Sequence, residues 1–168
     1  MSTSNQFDWI PFYEEFADKL LAYKDNRQEL IEKIKHVYEI TRIKLPTLER
    51  NENGDNEIVD IDPFTTFGLF NKGITDANRV KICTAIKDLF EVSSPVPTYF
   101  DGIPVLNNQM ATFYWFGNGR GEHDIDNLWD VFAYSLAISK SDSAELREKF
   151  SNSFNASLSQ KGVKWNLS

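Results

Sequence analysis

A chain of 168 residues, 41% apolar and 14% aromatic, can build a hydrophobic core and is too rich in rings for a disordered segment. Its net charge of −7 argues against generic attraction to phosphate backbones. Its one cysteine, Cys83, excludes an intrachain disulfide or a cysteine-rich zinc site and suits a reducing compartment.

The opening residues "MSTSNQFDW" lack a basic region followed by an apolar one, so no signal peptide is expected. No apolar run approaches the ~20 residues of a bilayer span. A cytoplasmic location is the expectation. The length fits a single domain over residues 1–168.

The first helix is predicted to start near Asp8 as N-cap, with Trp9, Phe12, Tyr13, Phe16 and Leu20 at helical spacing. Pro11 is tolerated in the first turn. A second helix is predicted from Arg27 to Ile43, with Leu30, Ile34, Val37, Tyr38 and Thr41 inward and Pro46 as its stop. The stretch from Glu49 to Asp62 holds six acids against Arg50 and reads as a polar loop. Asp62 then caps a third helix with Pro63 at its first position, and Gly73 ends it. Thr75 caps the fourth, whose stripe is Val80, Cys83, Ile86 and Phe90. In that run Cys83 is a small core residue rather than a nucleophile.

"SSPVPTYFDGIPVLNN" contains Pro95, Pro97, Pro104 and Gly102, which forbid regular helix. Tyr99, Phe100, Ile103, Val105 and Leu106 predict that much of this connection packs down. After it, "MATFYWFGNGRG" places four aromatics, Phe113 to Phe116, against a glycine turn carrying Arg120. A fifth helix, Asp124 to about Ala137, turns Ile125, Leu128, Trp129, Phe132 and Leu136 inward. A sixth begins near Ser143 with Leu146, Phe150, Phe154 and Leu158. The fold class is therefore mostly α: about six helices, one long irregular Pro/Gly connection, and room for a minor β-hairpin.

Chemistry-bearing motifs are few. The group around His123, "EHDID", could offer oxygens and one nitrogen to a divalent cation, but acids at a helix start are what the helix dipole favours. "GNGRG" lacks the lysine and serine of a phosphate loop and follows no strand, so it reads as a turn. No serine sits in a nucleophile elbow. No cofactor, metal or catalytic residue is assigned. The aromatic run is the remaining feature. Four successive side chains cannot all point into one core, so an exposed ring with Arg120 on the same face would make a stacking platform.

"FDWIPFYEEFADKLLAYKDNRQELIEKI", "DIDPFTTFGLFNKGITDANRVKI", "FDGIPVLNNQMATFYWF" and "DIDNLWDVF" together resemble the N-terminal region of bacterial McrB-type proteins, the AAA+ GTPase subunits of modification-dependent restriction systems. The resemblance runs from Phe7 to about Trp165. It implies a non-catalytic module upstream of the GTPase core, DNA (in some members modified-base) recognition, and partners that are sister AAA+ subunits and a nuclease subunit. No phosphate loop or other AAA+ motif is present, so nucleotide hydrolysis is not expected of this chain. For DNA contact the expected residues are Tyr114, Trp115 and Arg120, with Asn107 and Asn108 on a base edge. The competing expectation is a protein-contact scaffold in the same complex, with no DNA contact.

Overall fold

The computed structural model describes residues 7–105, 112–115 and 117–163. Among them six α-helices form: α1 Ile10–Leu20, α2 Arg27–Thr41, α3 Pro63–Phe70, α4 Asp76–Leu89, α5 Asp124–Lys140 and α6 Ala144–Leu158. A short 3-10 turn, Leu21–Tyr23, follows α1. No β-strand is present among the described residues; a single antiparallel bridge, Arg50 to Asn56, lies in the acidic loop. No helix among them is long and apolar enough to cross a membrane.

The chain forms two compact units, each assembled from discontinuous stretches. The first comprises residues 1–46 and 70–108, the second residues 47–69 and 109–168.

In the first unit, α2 packs on α4. Phe12, Phe16, Leu20, Leu30, Ile31, Ile34, Ile82 and Ile86 are fully buried. Each such side chain contributes roughly 1.5–3 kcal/mol of burial. Phe16 meets Phe70 and Phe90 at ring distances of 6.1 and 5.1 Å. Lys33 on α2 donates to the Leu89 carbonyl at 2.8 Å, satisfying one of the open acceptors at the end of α4. The loop after α4 is clamped from both sides. Lys87 Nζ donates to the carbonyls of Val92, Ser93 and Ser94, while the Glu15 carboxylate accepts from the amides of Ser93 and Ser94 and from the Ser94 hydroxyl. These bonds hold the Glu15 carboxyl down at about 2.

Helix ends follow cap chemistry where side chains can reach. Thr75 accepts from the Asn78 amide and Ser143 from the Leu146 amide. Two boundaries differ from the predicted ones. Trp9, not Asp8, is the N-cap of α1 and makes no side-chain cap bond. Pro11 brings no amide hydrogen to the first turn, so that end has one donor fewer to satisfy. Helix α2 ends at Thr41, because Arg42 turns left-handed at φ 56°, before Pro46 is reached.

The end of α4 uses the same device. Glu91 sits at φ 55°, and the Val92 amide bonds back to the Lys87 carbonyl at 3.1 Å. A side chain with a Cβ is strained there. Glu91→Gly is expected to raise stability by about 0.5–1 kcal/mol in denaturant unfolding. A lowered midpoint would show that the Glu91 side chain contributes more than its backbone costs.

In the second unit, α5 and α6 pack as a helical pair. Leu128 and Trp129 are fully buried, and Phe132 stands edge-on to both Phe64 and Trp129. Trp129 Nε1 donates to the Ile61 carbonyl at 2.9 Å. That bond ties α5 to the residue just before the cap of α3. The α6 stripe is less covered than its spacing predicts: Phe150 and Phe154 stack but are half-buried, Leu158 is exposed, and Ser157 is the buried residue of this helix.

Candidate interaction sites

The aromatic run lies in the second unit. Phe113 enters the core beside Phe64, with ring centroids 5.8 Å apart. Its amide donates to Thr65 Oγ1 at 3.0 Å, and that hydroxyl donates to the buried Asp62 carboxylate. A short polar chain thus anchors the run to the N-terminus of α3.

Tyr114 is 2% exposed. Its ring lies 5.6 Å from the Arg120 guanidinium, which in turn pairs with Glu49 at 2.7 Å. The Tyr114 hydroxyl is buried without a hydrogen-bond partner among the described residues. Burial, with the charges of Glu49 and Asp62, pushes its pKa well above the ordinary phenol range. This corrects the stacking expectation for Tyr114. The ring is part of the core, and the cation over it is engaged by an acid.

Trp115 is half-buried. Its Nε1 donates to the Asn118 carbonyl at 3.1 Å, and the Lys161 ammonium sits 4.6 Å from its ring centre. Gly162 adopts φ +84° and lies against the indole; a Cβ there would come within 3.0 Å of the ring. The predicted residues therefore divide. Tyr114 and Arg120 come together, the ring buried and the guanidinium half-buried over it, while Trp115 is matched with Lys161, which no local sequence pattern marks. Asn107, Asn108 and Phe116 lie outside the described residues.

His123, Asp124, Cys83 and Arg79 each have partners close by in their own unit. Asp124 Oδ2 accepts from the Gly121 amide at 2.8 Å, organising the start of α5. His123 contacts Asp126 at 3.1 Å, a bond that, with the charge of Glu122, raises the imidazole pKa. Among the described residues no group of His, Cys, Asp and Glu is arranged to hold a metal ion. Cys83 is fully buried, 3.4 Å from the Tyr13 hydroxyl, and burial pushes its thiol up to about 11. Arg79 is also buried: Nη1 contacts Asp76 and the Ile74 carbonyl, and the guanidinium lies over the Phe100 ring.

A second cluster lies on the first unit. Phe7 and Trp9 meet edge to face at 6.3 Å. Trp9 Nε1 donates to the Asp101 carbonyl at 2.9 Å. The Tyr99 hydroxyl donates to the Asp101 carboxylate at 3.2 Å, and that bond, with the carboxylate's charge, raises the Tyr99 pKa. Gly102, at φ +76°, lets the Phe7 ring lie against the backbone, since a Cβ there would fall 2.9 Å from Cε1 of that ring. Phe7 and Tyr99 are each 47% exposed and Val105 is 55% exposed. The expectation that this loop packs down is thus met by Phe100, which is buried, and corrected for Tyr99 and Val105; Leu106 lies outside the described residues. The sequence signal was present in two aromatic, acidic stretches, "FDW" and "TYFDGIP", but nothing local pairs stretches more than 80 residues apart.

Neither a curated protein nor a solved structure matches the chain. A family model does match, over residues 9–168, which takes in every helix of both units. The chain belongs to that family, described as "Domain of unknown function (DUF8425)".

Proposed function

We propose that this chain is a non-catalytic module whose task is contact with another protein. The observation that carries this is a surface cluster in which Phe7 and Tyr99 are exposed and Trp9 is half-buried: Phe7 meets Trp9 edge to face, and Trp9 and Tyr99 both hydrogen-bond Asp101. Exposed rings fixed in place are what interface hot spots use. The resemblance to McrB-type N-terminal regions makes sister AAA+ subunits and a nuclease subunit the class of partner.

DNA recognition is the second reading. Trp115 and Lys161 favour it, since a half-open indole beside an ammonium combines a stacking face with a phosphate-binding charge. Against it stand the net charge of −7 and the pairing of basic side chains with acids. Lys33, Lys35, Arg79, Arg120, Arg147 and Lys149 each contact a carboxylate in their own unit.

Titration of fluorescent duplex and single-stranded DNA, methylated and not, across about 50–200 mM salt separates the two. The expected result is no saturable binding at any salt. Binding that falls steeply with salt, and that Trp115→Ala weakens by roughly 1–3 kcal/mol, would establish the DNA reading instead.

A further inference from the structure

The two stretches that build the exposed ring cluster, residues 7–14 and 95–105, hold three acids, Asp8, Glu14 and Asp101, and no lysine or arginine. All three acids are solvent-exposed. We propose that this cluster is the docking surface for a basic protein segment, one that brings arginine or lysine side chains together with aliphatic ones. The proposal rests on the protein-contact reading and names its partner chemistry.

Three features argue for that occupant. Aromatic faces carry a negative quadrupole and attract guanidinium and ammonium groups, and neighbouring carboxylates add to the same field. The open sides of Phe7, Tyr99 and Val105 offer apolar area that a purely charged ligand would leave unused. The cluster is also preorganised. Trp9 is fixed by the Asp101 carbonyl, Tyr99 by the Asp101 carboxylate, and Phe7 by the close approach that Gly102 permits. Binding therefore loses little side-chain freedom.

The same acids disfavour two other occupants. A second copy docking face to face would set like charges against one another, because a two-fold interface brings the same patch to both sides. Nucleic acid would bring phosphates against them.

The test is a selection of random displayed peptides on the full chain, with synthetic versions of the winners measured by fluorescence anisotropy. Enriched peptides are expected to carry Arg or Lys beside aliphatic residues and to weaken as salt rises. The double variant Phe7→Ala with Tyr99→Ala should weaken them at least about tenfold while the helical spectrum is unchanged. A second double variant, Asp8→Asn with Asp101→Asn, keeps every ring and should also cost about tenfold. Enrichment of acidic or uncharged peptides that still need Phe7 and Tyr99 would overturn the basic partner and leave protein contact standing. No enrichment, or binding indifferent to both double variants, would overturn the docking surface. Salt-dependent DNA binding that Trp115→Ala abolishes would overturn the protein-contact reading itself.

Discussion

Replacing Trp129 by alanine is expected to destabilise the protein by about 3–5 kcal/mol, the largest single effect in the second unit. The indole is fully buried, and the edge of Phe132 meets it at 6.1 Å. Two losses combine. Removal of the ring leaves a cavity that surrounding helices fill only in part. It also strips the Ile61 carbonyl of its donor at a buried site. Trp129→Phe separates the two, since it keeps most of the apolar volume and loses the hydrogen bond; about 1–2 kcal/mol is expected. Urea unfolding followed by circular dichroism measures both. A loss below about 1 kcal/mol for the alanine variant would mean that α5 is held mainly by α6.

Cap chemistry was the most legible layer of the sequence. Asp62 followed by Pro63, Thr75 and Ser143 each name a helix start, because one side chain reaching an amide two or three residues on is a local matter. Helical periodicity placed Leu30, Ile34, Val37, Tyr38, Leu128, Trp129 and Phe132 inward, and all are buried. The errors lie where burial depends on distant partners. Arginine belongs outside by default, so nothing local marks Arg79 as buried; here Phe100, some twenty residues away, lies over it. Four rings in a row cannot share one core, which makes Tyr114 a candidate for exposure. No described ring of the run is exposed: Trp115 is half-buried, and Phe113 and Tyr114 both go in, the first held by Thr65 and the second against Arg120, which pairs with Glu49. That arrangement needs the acidic loop folded back beside the glycine turn. Neither segment carries a pattern that announces the other.

Asp62→Asn is expected to remove a pH dependence of stability worth about 3 kcal/mol between pH 4 and 7. Asp62 is fully buried. Its Oδ1 accepts from the Thr65 amide at 2.9 Å, and its other carboxyl oxygen takes the Thr65 hydroxyl. Its carbonyl receives the amide and hydroxyl of Thr66. Burial disfavours the ionised form and outweighs these donors, so the carboxyl is pushed up to about 6 from 3.8. The folded state thus holds this proton more tightly than the unfolded chain does. The stabilisation is fully present below about pH 4 and is lost as pH rises through about 6. A difference of about 2 in pKa, at about 1.4 kcal/mol each, gives the stated size. Asparagine accepts from the same amide but cannot ionise, so its altered bond to Thr65 shifts stability by an amount that does not vary with pH. Glu15 works in the opposite sense, since its carboxyl is held down; its contribution is present above about pH 4.5 and fades toward 2, and it is common to both proteins. Denaturant unfolding of the two proteins at intervals from pH 4 to 7 should therefore show wild type losing ground to Asp62→Asn as pH rises. Parallel curves would mean that Asp62 stays ionised in the fold and that its amide donors outweigh its burial.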